Sequence, residues 1–200
     1  MYRFYLAAVD LLPGALLLAP VYFVLNKVYL RNAGKSVLYY LFSCYLSVIY
    51  ILVGLPNVIY IRPELNLNLI PFLGIVADWK NSILNILLFI PMGMSLPILW
   101  NRFRTRNRTI LLGFGASLAI ELLQILTYRA TDINDVITNT AGTYLGFLCA
   151  HILLKKSTVL THMVNEKNTG ELWIVLTIVM LTMFFTYPFI SAALWSILLS

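Results

Sequence analysis

Charge is what this 200-residue chain has least of. Charged residues make up 11% of it, against about a quarter in ordinary soluble domains. That excludes a water-soluble globule with a solvated surface, and also a disordered chain, which needs charge and little apolar surface. Only two cysteines occur, Cys44 and Cys149, which excludes a disulfide scaffold. Both sit in apolar runs, where a thiol packs as a small hydrophobe. The two histidines, His151 and His162, fall towards the end expected to be cytoplasmic, away from the Glu121 cluster, so a His-based triad there is not indicated.

What the sequence does have is apolar length. Hydrophobic residues make up 60% of it, and the mean hydropathy is +0.86. Runs near 4–26, 37–56, 83–100, 109–127, 136–154 and 172–199 approach the roughly 20 residues that span a bilayer. The expectation is an all-α polytopic membrane protein. It is a helical bundle of about five to six transmembrane helices, forming a single integral membrane domain over 1–200. The first run contains Asp10, has only Arg3 before it and shows no small-residue cleavage site. It therefore reads as a mature helix rather than a secretion signal.

The cations set the orientation. Lys27, Arg31, Lys35, Arg102, Arg104, Arg106, Arg108, Lys155, Lys156 and Lys167 fall in connections on one side, and Arg3, Arg62, Lys80 and Arg129 on the other. The richer side, including the Arg-rich loop 101–108, is expected to be cytoplasmic and both termini extracytoplasmic. The arginine run then reads as a topogenic loop, and no nucleic-acid partner is expected. Trp100 and Trp173 would mark the inner interface, and Trp79 and Trp195 the outer one.

The connection 57–82 is longer than a plain loop. Leu65-Asn66-Leu67-Asn68-Leu69 alternates with period two, which suggests a short strand. Gly74 to Asn81 has room for a turn of interfacial helix. The segment reads either as an extracytoplasmic cap, with a small β-hairpin as one form, or as a featureless tether.

Acids are most informative by position. Glu121 lies seven residues before Tyr128, about 10 Å down the fourth run. An intramembrane carboxylate faces the bundle interior with partners and is a functional hypothesis by default. Gln124 shares its helical face. Next come Arg129, Asp132 and Asp135, then Asn139 four residues after Asp135, and Gly142 and Gly146 as a close-packing pair. Asn85 and Asp10 lie at similar depth in the third and first runs. The polar chemistry is thus one-sided, with only Glu166 and Glu171 on the opposite side.

Each residue carries a structural alternative. Glu121 either locks helices through Gln124 or Arg129, or acts as a base or ligand. Asp132 and Asp135 either cap the fifth helix or contact a cation or headgroup. Arg129 is a surface anchor or grips an anion. Asn85 fits an interhelical hydrogen bond, Asp10 a satisfied buried carboxylate, and the histidines ordinary surface positions. As a set, Glu121, Asp132 and Asp135 are the catalytic candidates, and Asn85, Gln124, Arg129 and Asn139 the ligand-binding ones. Cofactor and metal are left open.

The motifs NLIPF (68–72), NILLFIPMG (85–93), ELLQ (121–124) and RATDINDVITNTAG (129–142) resemble the VanZ-like family. The resemblance covers about 66–150. Asn134 departs from it, standing where an acidic residue often precedes the second Asp, which weakens a paired-carboxylate metal site. The resemblance implies an integral protein of mostly Gram-positive bacterial membranes, tied to low-level resistance to teicoplanin-type glycopeptides. The family carries no established reaction, so whether the chain is an enzyme stays open. Carried over residue by residue are Asn85, Phe89, Pro91, Gly93, Glu121, Gln124, Arg129, Asp132, Asp135, Asn139 and Gly142. Of these, Phe89, Pro91, Gly93 and Gly142 read as structural. Membrane lipids and a lipid-linked envelope component or lipoglycopeptide are the expected partners. A small transporter or flippase and a non-enzymatic scaffold are the competing functions.

Overall fold

The computed structural model describes residues 2–72, 75–76, 78–156 and 169–198, with side chains described from residue 11 to 197 within those ranges. The expectations for Arg3, Asp10, Gly74, His162, Glu166 and Lys167 fall outside the described residues or side chains. Among the described residues, five helical stretches are long and apolar enough to cross a membrane: Leu11–Leu30, Ala33–Leu52, Trp79–Leu99, Ile133–Lys156 and Gly170–Ile197. The chain is an all-α polytopic membrane protein.

It divides into two compact units, Met1–Ile61 with Gly170–Ser200, and Arg62–Thr169. The motif region 66–150 lies within the second.

In the first unit, α1 (Tyr2–Leu25) ends in a π-helical turn, Asn26–Leu30. There Arg31 takes a left-handed conformation (φ 50°) that reverses the chain into α2 (Ala33–Leu52). Asn32 caps α2, its side chain accepting from the Lys35 N–H at 3.0 Å. Ser36, Tyr39, Ser43, Ser47 and Tyr50 are all buried and recur at helical spacing on one face of α2. Tyr22 of α1 meets that stripe, its hydroxyl 2.6 Å from Ser43 Oγ. Deeper in, Gly14 lies beside Ser47 and Met183. The chain closes with α6 (Gly170–Leu181), a π turn and α7 (Tyr187–Leu198). Lys35 Nζ lies 2.7 Å from Glu171 Oε1, and the Tyr39 hydroxyl donates to Glu171 Oε2.

The second unit contains α3 (Trp79–Leu99), α4 (Arg106–Gln124) and α5 (Ile133–Lys156). Helices α3 and α5 are backbone-close because glycines line their seam. A methyl group on Gly142 would lie inside van der Waals contact with the Ile86 carbonyl, and one on Gly146 with the Ile90 carbonyl. From the other side, one on Gly93 would strike the Thr143 carbonyl. Phe89 is fully buried in α3, and α3 continues as one helix through Pro91 and Pro97.

Helix α4 differs from the span expected over 109–127. It runs from Arg106 to Gln124 and is not among the five stretches apolar enough to cross. Arg106, Asn107 and Arg108 at its start, with Glu121 and Gln124 at its end, dilute its apolar middle. Its burial is inverted relative to a soluble helix: Thr109, Gly113, Ser117, Glu121 and Gln124 are buried, while Leu111, Phe114, Leu118 and Leu122 are exposed. Apolar surface outside and small or polar residues inside is the arrangement a lipid solvent selects.

Two further expectations are corrected. Trp100 is fully buried (0% exposed) at the end of α3, enclosed by protein rather than presented outward, whereas Trp79 and Trp173 are exposed. The strand at 65–69 shortens to β1, Leu67–Asn68. Its partner is not a second strand of a hairpin. It pairs in parallel with β2, Thr131–Asp132, in the α4–α5 connection, Leu67 facing Thr131 and Asn68 facing Asp132. Upstream, an isolated parallel bridge joins Arg62 to Thr127, the Arg62 N–H donating to the Leu126 carbonyl (2.8 Å), and the Glu64 N–H donates separately to the Ile125 carbonyl (2.9 Å). A parallel neighbour is by necessity remote in sequence, and local alternation does not announce it.

Candidate functional site

Helix α3 begins, α4 ends and α5 begins at the same end of the second unit, so one antiparallel-parallel set of helices delivers polar groups to one place. Glu121, in the last turn of α4, is 1% exposed. Its Oε2 accepts the backbone N–H of Asp132 at 2.7 Å, and its own carbonyl accepts the Thr131 hydroxyl at 2.9 Å. One helix end thereby fixes the loop that leads into the next helix.

Asp132 is held on all sides. Oδ2 accepts from Asn68 Nδ2 at 2.9 Å, and Oδ1 accepts both the Asn134 backbone N–H (2.8 Å) and Asn134 Nδ2 (2.7 Å). The first Oδ1 contact satisfies a free donor in the opening turn of α5, the helix-capping role weighed for Asp132. Asn134, buried at 2% exposure, then clips the cap. Its Nδ2 also donates to the Ile70 carbonyl (3.1 Å), and its Oδ1 accepts the Phe72 N–H (2.6 Å). Phe72 has φ 67°, a left-handed conformation costly for a residue with a side chain. The double grip of Asn134 holds it there.

Asp135, one helical turn before Asn139, has the Asn85 side chain of α3 beside it. The Arg129 guanidinium is exposed, and its charge acts on both Glu121 and Asp135, as does that of Asp132. Asn139 is buried; its Nδ2 donates to Ser117 Oγ of α4 at 2.8 Å, while its Oδ1 is buried with no hydrogen-bond partner. Gln124 is buried on the Glu121 face of α4.

Of the residues singled out from the sequence, Asn85, Glu121, Arg129, Asp132 and Asp135 therefore form one cluster, and Asn139 lies one turn further along α5. The cluster combines a buried carboxylate, two half-buried ones and an exposed guanidinium. Such a set binds a group bearing hydrogen-bond donors on its carboxylate side and an anion on its arginine side. Among the described residues no three or more His, Cys, Asp or Glu side chains are grouped to hold a metal ion; Asp132 spends its oxygens on amide donors. Sequence reasoning passed over Asn68, Ser117, Thr131 and Asn134 as members of this network. Asn68 and Asn134 stood inside the quoted motifs, and an amide flanked by loop residues was the available signal.

The cysteines are both free thiols, Cys44 half-buried and Cys149 exposed.

The VanZ/LLP1 family model matches residues 36–154, a stretch that begins in α2 and takes in α3, α4, α5 and every residue of the cluster. Among curated proteins, Protein VanZ of Enterococcus faecium is 33% identical over 125 residues, 61% of this chain and 71% of that protein. No solved structure matches the chain. The match over more than half its length makes this chain a member of the VanZ/LLP1 family.

Proposed function

We propose that this protein binds or acts on a cell-envelope component through the Glu121 cluster, lowering susceptibility to teicoplanin and related lipoglycopeptides. The observation that carries the reading is the convergence of Glu121, Asp132, Asp135, Asn85 and Arg129 at one end of three helices. Membrane proteins bury ionisable side chains at a cost and retain them where they have work to do. The similarity to Protein VanZ supports the resistance phenotype. The bias of Lys and Arg supports an orientation with loop 101–108 cytoplasmic, which leaves the cluster facing the outer leaflet. There the acyl chain and anionic groups of a lipid-linked envelope intermediate or of the drug itself would meet apolar helix walls, Arg129 and the carboxylate-amide network.

The test expresses wild type, Glu121→Gln and Asp135→Asn at equal membrane abundance and measures teicoplanin susceptibility. Loss of protection in both variants supports the site, and undiminished protection in both removes it. Labelling of single cysteines at Thr105 and Tyr128, in a background lacking Cys44 and Cys149, with an impermeant maleimide on intact cells checks the orientation. Tyr128→Cys should label and Thr105→Cys should not; the reverse pattern would turn the cluster inward.

A transporter reading fares worse because the helix seam tightens away from the cluster. A methyl group on Gly113 would come within 2.5 Å of the Thr143 side chain, and the interior beyond Ser117 offers no ionisable relay among the buried residues of α4 and α5.

A further inference from the structure

The stretch 65–72, with Val76, carries its apolar side chains on the outside. Leu65, Leu67, Leu69, Ile70, Phe72 and Val76 are between 46% and 80% exposed. No charged residue stands between Glu64 and Asp78. Single exposed apolar residues are ordinary, but a run of large ones marks a contact surface. The run is also held in place. Leu67 and Asn68 pair with Thr131 and Asp132. The Ile70 carbonyl accepts from Asn134 Nδ2 at 3.1 Å, and the Phe72 N–H donates to Asn134 Oδ1 at 2.6 Å. Phe72 thus keeps a left-handed backbone (φ 67°) while its ring stays exposed.

These contacts set the height of the stretch. Asn134 stands in the first turn of α5, a helix long and apolar enough to cross the bilayer. The 24 residues of α5 extend about 36 Å at roughly 1.5 Å per residue, against a hydrocarbon core of about 30 Å. Centred on that core, the first turn stands at its boundary, and 70–72 stands beside it. The same boundary is reached from α3, another crossing helix. Trp79, its first residue, is exposed, and Ile83, Leu84 and Leu87 carry the exposed apolar side on into the span. Val76 leads into Trp79, so the surface of the stretch continues the lipid-facing side of α3.

We propose that this surface is immersed in the membrane leaflet at the end where α3 and α5 begin, with Leu69, Ile70 and Phe72 among the upper acyl segments. The bilayer is the occupant that stands at that height, because the helices beside the stretch cross it. Apolar and aromatic side chains bracketed by charged ones, Glu64 before and Asp78 and Lys80 after, are the composition a lipid interface accepts. The backbone limits the depth. Strand β1 belongs to a two-stranded pair, and the N–H and C=O groups of its other edge need water or headgroups, which the hydrocarbon core does not supply. Asn68 and Asn134 both bond Asp132, so the immersed stretch is tied directly to the Glu121 cluster. The contact requires neither the orientation nor the resistance phenotype proposed above.

The test uses full-length protein in vesicles of phosphatidylglycerol and phosphatidylcholine, in a background lacking Cys44 and Cys149. Nitroxides are attached singly at Leu69→Cys, Phe72→Cys and Val76→Cys, and their collisions with oxygen and with a water-soluble nickel chelate are measured by electron paramagnetic resonance. Leu87→Cys, on the exposed side of α3, calibrates lipid, and Glu64→Cys calibrates water. All five positions are exposed, so the labels displace no packed side chain. The oxygen-to-nickel ratio at Phe72, and at one or both of the other two positions, should exceed that at Glu64 several-fold and approach that at Leu87. Ratios at the Glu64 level would overturn the proposal by placing the stretch in water. Shielding from both reagents would overturn it too, and would assign the surface to a second copy of the chain.

Discussion

The backbone N–H of Asp132 donates to Glu121 Oε2 at 2.7 Å, across the connection between α4 and α5. The carboxylate that sequence position alone marks as expensive is thus also a structural acceptor. Two effects must be separated before a loss of function at Glu121 is read as chemistry. Gln retains an acceptor oxygen of the same reach, whereas Ala leaves the part-buried Asp132 N–H unpaired. Glu121→Ala is expected to destabilise the protein by about 1–3 kcal/mol and to lower the thermal midpoint in detergent. Glu121→Gln should keep the midpoint within a few degrees while losing teicoplanin protection. A Gln variant that unfolds as early as Ala would mean that Glu121 acts by holding the loop.

The cap gives a second comparison. Asn68 contributes one amide contact to Asp132, while Asn134 ties Asp132, Ile70 and Phe72 together. Asn134→Ala should release the strained Phe72 turn and raise hydrogen exchange across 62–72. Asn68→Ala should loosen only the β1–β2 pairing. The difference between them is expected to be about 0.5–1.5 kcal/mol, the net scale of ordinary part-buried hydrogen bonds. Equal exchange in the two variants would show that the cap is held by its backbone ladder instead.

How much of this was legible follows from which geometry is local. A helix fixes which residues share a face, so the agreement of Glu121 with Gln124, and of Asp135 with Asn139, could be counted from the sequence. An interhelical hydrogen bond at Asn85 could be expected from its place on an apolar helix, but its neighbour Asp135 on another helix could not. Residues 62–72 obey no such period. Their course depends on a parallel ladder to 125–132 and on the amide of Asn134, which the family comparison marked only as a departure. Trp100 failed for a related reason. Its place at a helix end resembles an interface, and only the packing of α3 decides that it is enclosed. The ion pair of Lys35 with Glu171 joins residues 136 apart, beyond any spacing rule.

Glycine provides a test of packing that is independent of function. Gly142 and Gly93 press against carbonyls of the facing helix, whereas nothing lies within 4 Å of a methyl group on Gly115. Gly142→Ala and Gly93→Ala should force α3 and α5 apart, at a cost of roughly 1–3 kcal/mol or more from overpacking. Gly115→Ala should stabilise α4 by about 0.5–1 kcal/mol, since alanine loses less backbone freedom in a helix. Thermal unfolding of the three variants in one detergent decides it. A destabilising Gly115→Ala would imply a neighbour at that face.

In the first unit the decisive group is Glu171, whose side chain is 11% exposed and whose oxygens lie 2.7 Å from Lys35 Nζ, itself 15% exposed. Removing the ammonium leaves a buried carboxylate with the Tyr39 hydroxyl but without its counter-charge. Lys35→Met is therefore expected to cost about 3–5 kcal/mol, the range for breaking a buried pair from one side. Replacing both residues, as Lys35→Met/Glu171→Leu, removes the desolvated charges together and should recover most of that loss. The four proteins of this cycle give the coupling directly. Because the pair lies outside the Glu121 cluster's own unit, the proposed function predicts that the recovered double variant leaves teicoplanin susceptibility at the wild-type level. A double variant that is stable yet unprotective would show that this ion pair serves the activity as well as the fold.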